Sequence, residues 1–291
     1  MSFFRWFLLL MFVFLLAACG RSGTGGSQTQ TVYIQDKGSD TIVNLALAWA
    51  EKYQAGHPDV SISVTGGGTG TGIAALLNQT TDIANASRQM QPVELQQAKT
   101  NGIDPVEFIV ARDAIAVAVN PANPVSRLTF QQISDIYSGK INNWSQVGGQ
   151  DRPIVRLSRE VNSGTHVYFR DTVIRLGDSK NKTFFSADTL LLASSEGIVS
   201  ELRQNPNAIG YDGLGYIPSD LKKISVARDA SGPYVLPSVA SVNDKSYPIA
   251  RDLYMYTAGQ PVGAVKAYLE WIVSAEAQLI VVNLGFVPIL K

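Results

Sequence analysis

The sequence predicts an α/β fold with largely parallel sheets, and three observations predict it. Strand-like and helix-like segments alternate beyond residue 30, as they do where helices cross over between parallel strands. Asp113 to Val119 is a nearly continuous apolar run, the pattern of a strand covered on both faces. Asn120-Pro121-Ala122-Asn123-Pro124 then breaks that run with residues that turn the chain. No internal repeat is visible, which argues against a solenoid or propeller.

The elements follow in order. Thr31 to Gln35 is β-branched and alternating, a first strand, and Ile42 to Tyr53 carries apolar residues at helical spacing. Val60 to Val64 reads as a second strand, and Ile73 to Asn78 begins a second helix. Ile154 to Leu157, Ala208 to Tyr211 and Asp252 to Thr257 read as further strands. Pro261 to Val282 is expected to form one amphipathic helix, with Gly285 and Pro288 as stop signals beyond it.

Composition narrows the function. The 291 residues carry 24 Lys+Arg against 24 Asp+Glu, so there is no basic excess to neutralise a nucleic-acid backbone. A hydrophobic fraction of 45% supports a globular core, and the length favours two domains. His57, His166 and Cys19 are the only soft ligands, too few for a structural zinc site, and Cys19 has no partner for a disulfide. Neither a metal nor a cofactor is expected.

The lone cysteine belongs to the leader. Arg5 is followed by an apolar run from Phe7 to Leu16, and Leu16-Ala17-Ala18 places small residues directly before Cys19. Residues 1–18 therefore read as a lipoprotein signal peptide, with Cys19 lipidated and holding the chain to a membrane. Residues 19–30, rich in Gly, Ser and Thr, read as a flexible tether, which puts the working protein outside the cytoplasm.

Three segments have the character of anion-binding loops. In Val64-Thr65-Gly66-Gly67-Gly68-Thr69-Gly70-Thr71-Gly72-Ile73, glycines follow a strand and open a helix. Free N–H groups and threonine hydroxyls could there approach a ligand closely. Ile73 and Ala74 stand where a nucleotide P-loop needs Lys and Ser or Thr, and no register fits the dinucleotide pattern. Gly38-Ser39-Asp40-Thr41 lies between the first strand and first helix, where its residues could equally be plain helix caps. Arg159, with Ser163-Gly164-Thr165, again joins a strand to a helical stretch and offers a planar fork. Ser163 lies three residues before His166 but lacks the elbow of a hydrolase nucleophile, and His57 reads as a surface turn residue.

In this order and spacing the three segments resemble the substrate-binding lipoproteins of phosphate ABC transporters, the PstS-like family, over nearly the whole mature chain. Asp82 to Arg88 sits where the family has its third contact region, and Ile136 to Trp144 and Ala208 to Tyr211 are supporting landmarks. The resemblance implies a type II periplasmic-binding-protein fold of two α/β lobes with a hinge and an interlobe anion site. Residues 31–116 with 253–291 would form lobe 1 and residues 117–252 lobe 2, with crossings near Ala116-Val117 and Arg251-Leu253. It implies phosphate held by Ser39, Asp40, Thr41, Thr69, Gly70, Thr71, Ser87, Arg88, Arg159, Ser163, Gly164 and Thr165. A monomeric receptor would deliver that anion to the permease subunits of an ABC importer, without performing chemistry. The alternatives are a receptor for sulfate or molybdate, an extracellular phosphatase, and a surface adhesin or sensor.

Two positions depart from the family. Arg88 follows Ser87 where many members have an aspartate, and Val161 stands where better-known members place an acid, with Glu160 one step earlier. Asp40 is then the candidate acceptor for the proton of phosphate, held ionised by Arg88.

Overall fold

The computed structural model describes residues 31–289, so the leader, Cys19 and the tether lie outside the described residues. The first part of the chain runs β1 (Val32–Gly38), α1 (Asp40–Gly56), β2 (Val60–Thr65), α2 (Thr69–Leu77), β3 (Ile83–Ala86), α3 (Pro92–Thr100) and β4 (Val106–Val119). Next come β5 (Arg127–Thr129), α4 (Phe130–Tyr137), β6 (Val155–Arg159), α5 (Gly164–Phe169), β7 (Leu190–Leu192), α6 (Ser195–Gln204) and β8 (Ala208–Gly213). The chain finishes with β9 (Lys222–Lys223), β10 (Ser225–Ala227), α7 (Val239–Asn243), β11 (Ala250–Thr257), α8 (Gly263–Ile272) and α9 (Ala275–Asn283).

Local chemistry accounts for the elements that set the geometry. Helix α1 buries Ile42, Leu45, Ala46, Trp49, Ala50 and Tyr53, one stripe at helical spacing, and Ser39 caps its start by accepting from the Thr41 N–H. The Trp49 indole donates to the Ala277 carbonyl at 2.9 Å and so ties α1 to α9. The expected helix over 261–282 is two helices instead. α8 ends at Ile272 with Val273 as its C-cap, and Ser274 caps α9 by accepting from the Ala277 N–H. Apolar periodicity runs through that break, so the cap, and not the pattern, marks the boundary.

One sheet dominates, with strand order β2-β1-β3-β11-β4-β8-β6-β7 and β9 added beside β4. Strands β1, β2 and β3 are mutually parallel, as are β6, β7 and β8, whereas β11 runs antiparallel to both β3 and β4. The sheet is therefore mixed, less parallel than the alternation of elements suggests, because β4 and β11 pass between two βα units in opposite directions. Strand β4 changes partner along its length: Val106 to Ala114 pair with β11, and Ile115 to Val119 with β8. One core gathers Ile34, Leu45, Trp49, Val110, Leu253 and Tyr268; a second gathers Val117, Tyr137, Trp144, Phe169, Tyr211 and Ile249. The strands between these two cores bring the loops after β1, β2, β3 and β6 to one place.

Candidate functional site

Three helix starts converge there. Ser39 caps α1, Gly68 opens α2 and Ser163 caps α5 by accepting from the Thr165 N–H. Gly68 has φ +91° and donates its N–H to the Gly38 carbonyl at 2.8 Å, which closes the glycine loop over the end of β1. A side chain at Gly68 would need a backbone that L-residues rarely adopt, and its Cβ would press on Asn162.

The convergence is a nest of buried hydroxyls. Thr41 Oγ1 and Thr165 Oγ1 lie 2.7 Å apart although 124 residues separate them. Thr69 Oγ1 lies 3.2 Å from Ser87 Oγ and accepts from the Ser87 N–H at 3.0 Å. Gly164 packs so closely on this second pair that a Cβ there would overlap both hydroxyls. Thr41, Thr69, Ser87 and Thr165 are each at most 1% exposed. The segments carrying them also bind one another through backbone. The Gly70 N–H donates to the Asn162 carbonyl at 2.9 Å, and Asn162 Nδ2 donates to the Gly67 carbonyl at 2.9 Å and reaches Thr71 Oγ1 at 3.5 Å.

Charge enters from Arg159, whose side chain is 1% exposed. Its guanidinium donates to Ser195 Oγ, to the carbonyls of Leu192 and Ala193, and at 2.6 Å to Asp40 Oδ2. The other Asp40 oxygen accepts from the Gly67 N–H at 2.9 Å, and the Asp40 carbonyl accepts from Tyr216. Arg88 does not hold Asp40, and this corrects the expectation. Both of its terminal nitrogens donate to Glu94 at 2.7 Å, because Glu94 in the first turn of α3 presents a carboxylate to the loop after β3. Glu160 is solvent-exposed, which leaves Asp40 as the sequence-nominated carboxylate inside the nest.

Three charged residues there escaped the sequence reading. Arg251, on β11, lies opposite Asp113 on β4, and the two form a 3.0 Å ion pair with side chains 2% and 0% exposed. Asp212, at the end of β8, lies 3.7 Å from Arg159. The signals were a carboxylate heading an apolar run at Asp113 and an arginine at an expected crossing; neither forms a motif. Burial raises Asp113 to about 6, with Arg251 pulling it back down, and burial also raises Asp212.

His166 points away from nucleophile chemistry. Its Nδ1 lies 2.9 Å from the Arg159 carbonyl and 3.0 Å from Ser158 Oγ, and burial lowers its pKa to about 4. The groove between α2 and α3 is lined mostly by Ile73, Ala74, Leu77 and Val93 with the amides of Asn78 and Gln97, and its one carboxylate, Glu94, is engaged by Arg88.

A mixed α/β chain whose loops meet over buried hydroxyls and arginine between two cores has the build of a solute-binding protein. The chain belongs to the PBP superfamily, whose domain model matches residues 25–276, and within it to the family of phosphate-binding proteins PstS. It is 30% identical to the Phosphate-binding protein PstS of Pseudomonas aeruginosa over 87% of this chain and 81% of the relative. With that of Staphylococcus aureus it shares 32% over 89% and 78%. Among solved structures, a putative phosphate ABC transporter substrate-binding protein from Clostridium perfringens with bound phosphate superposes with a TM-score of 0.78. Identity with it is 30%, over 88% of this chain and 99% of that one. An ABC-type phosphate transport receptor from Vibrio cholerae superposes at 0.70 with 27% identity, over 87% and 99% of the two chains.

Proposed function

We propose that this chain captures inorganic phosphate outside the cytoplasm and delivers it to an ABC-type importer, acting as a binding receptor and not as an enzyme. The observation that carries the reading is the nest itself: hydroxyls from the loops after β1, β2, β3 and β6, with Arg159 beside them, form a dry, donor-rich cradle. Such donors suit a small tetrahedral oxyanion, and charge-assisted hydrogen bonds are strengthened where water is excluded. Ser39, Asp40, Thr41, Thr69, Gly70, Thr71, Ser87, Arg159, Ser163, Gly164 and Thr165 are the proposed contacts. Arg88, whose two terminal nitrogens pair with Glu94, is proposed as a contact only through its remaining Nε–H.

Selection of phosphate follows from the Asp40–Arg159 pair. An entering oxyanion competes with Asp40 for the Arg159 donor, and a phosphate carrying a proton returns one O–H donor to the carboxylate. Sulfate has no proton to return, so it would leave two acceptors opposed, an arrangement costing roughly 1–3 kcal/mol. Residues 31–116 with 253–291 and residues 117–252 are proposed as two lobes that close on the anion, with β4 and β11 as the crossings. Closure would present a changed surface to the permease. Cys19 is proposed as the lipid anchor and the receptor as a monomer.

Isothermal titration with phosphate, arsenate, sulfate and molybdate tests the reading. Phosphate and arsenate, which share shape and protonation, should bind roughly 5- to 150-fold more tightly than sulfate, the ratio that about 1–3 kcal/mol implies. Sulfate or molybdate binding as tightly as phosphate would overturn it.

A further inference from the structure

Arg251 lies in none of the loops, yet its guanidinium touches three of them. Nη1 donates to the Ser87 carbonyl at 2.7 Å, and Nη2 reaches Thr165 Oγ1 at 2.9 Å, Asp113 Oδ2 at 3.0 Å and Thr41 Oγ1 at 3.4 Å. Its Nε–H is buried without an acceptor among the described residues, and the Tyr168 ring lies 5.5 Å from its central carbon. Asp113 fixes the fork from the neighbouring strand.

A guanidinium can only donate. Each threonine oxygen that accepts from it turns its own proton away from the cation. Since Thr41 and Thr165 stand 2.7 Å apart, one of their two protons serves the bond between them and the other is left for an outside acceptor. The two threonines come from segments far apart in the chain, one after β1 and one after β6. Their pairing is therefore set by a side chain on neither loop.

We propose that Arg251, pinned by Asp113, is a positioning residue of the anion site: it polarises Thr41 and Thr165 into a joint donor and adds a second positive charge behind them. The inference rests on the reading of this nest as an oxyanion site and deepens it. Such a pair favours an anionic ligand that turns an unprotonated oxygen to it, leaving any ligand proton to face Asp40, and disfavours a neutral ligand that donates at this point. Because the guanidinium binds both threonines at once, engagement of the anion and meeting of the two loops become one event.

A merely structural ion pair makes a different forecast, because a buried pair can be replaced by neutral side chains with little loss of stability. The test therefore compares Arg251→Gln with the double variant Asp113→Asn/Arg251→Gln, each by thermal melting and by titration with inorganic phosphate. Arg251→Gln should lose both melting temperature and affinity, since it leaves the Asp113 carboxylate unpaired. The double variant should regain most of the melting temperature while its affinity stays at least about tenfold below parental. Arg251→Lys, which keeps the charge but not the fork, should fall between parent and Arg251→Gln in affinity. Affinity recovering to within about twofold of parental in the double variant, together with its stability, overturns the proposal. A parent that binds sulfate or molybdate instead overturns the phosphate reading alone, and the same variants titrated with that anion then decide the role of Arg251. A parent that binds no oxyanion overturns both.

Discussion

Asp40 and Arg159 meet across the nest at 2.6 Å, and the properties proposed for the site depend on which proton or charge stands between them. Replacing Arg159 by alanine removes donors to Ser195 and two carbonyls and leaves Asp40 and Asp212 without their nearest cation. Phosphate affinity should then fall by about 1.5–3 kcal/mol in titration, with a parallel loss of melting temperature. Asp40→Asn should act differently. Its amide can donate to either anion, so paired titrations should show phosphate-over-sulfate discrimination collapsing further than phosphate affinity does. A second residue-scale prediction concerns Asp36, beneath the β1 loop. Among the described residues its carboxyl, the Asn85 amide and the Tyr268 hydroxyl are buried without a well-formed hydrogen bond, and burial raises Asp36 from 3.8 to about 7, with the neighbouring Asn85 side chain partly opposing the rise. The folded protein therefore holds this proton between about pH 4 and 7 while the unfolded chain has released it. Stability from this group is fully present below pH 4 and is lost as pH rises to 7. His166, lowered to about 4, has the opposite sign and loses its contribution as pH falls. Asp36→Asn isolates the first effect. Its unfolding free energy should exceed the parent's by a margin that grows between about pH 4.5 and 8 to a few kcal/mol, about the scale of the shift, and is read as a rising difference in melting temperature.

At the scale of the element, the glycine-rich turn into α2 performs two tasks. Gly72 lets α2 pack directly on the end of β1, where any Cβ would collide with the Lys37 carbonyl and Gly38. Thr69, one turn earlier, uses its hydroxyl to fix Ser87. Thr69→Val keeps the volume and removes that hydroxyl. It should weaken phosphate binding by about 1–2 kcal/mol in titration, and because Ser87 loses an acceptor for its N–H it should also lower stability modestly. Affinity falling by the larger margin would support the ligand role; a fall confined to melting temperature would assign Thr69 to packing alone. The existence of α2 after a glycine-rich strand-to-helix turn was legible in the sequence, but its start was not: the helix begins at Thr69, four residues before the expected Ile73. The break between α8 and α9 was not legible either, because Ser274 interrupts an apolar periodicity that continues on both sides.

Across the whole molecule, the loops after β1 and β2 are joined to the segment after β6 by side chains and by the Gly70–Asn162 backbone bond. Gly164→Ala tests closure as a property of the molecule. Its Cβ would overlap Thr69 and Ser87, so the two proposed lobes should be held apart. The expected outcome is at least a tenfold loss of phosphate affinity with melting temperature nearly parental, and a radius of gyration that no longer contracts on adding phosphate in X-ray scattering. What the sequence determined by itself was what local chemistry determines: strand and helix patterns, capped helix starts, the glycine turn and the Arg159 to Thr165 segment, which together sufficed for fold class and anion character. The tertiary structure alone decided which charges meet. Arg88 turns to Glu94, Arg159 reaches Asp40, and Arg251 with Asp113 comes beneath Thr41 and Thr165. The reason is physical: a cap or turn is fixed by neighbours a few residues away, whereas a buried arginine is satisfied by whichever carboxylate and hydroxyls the fold brings beside it, which for Arg251 come from 86 to 210 positions away.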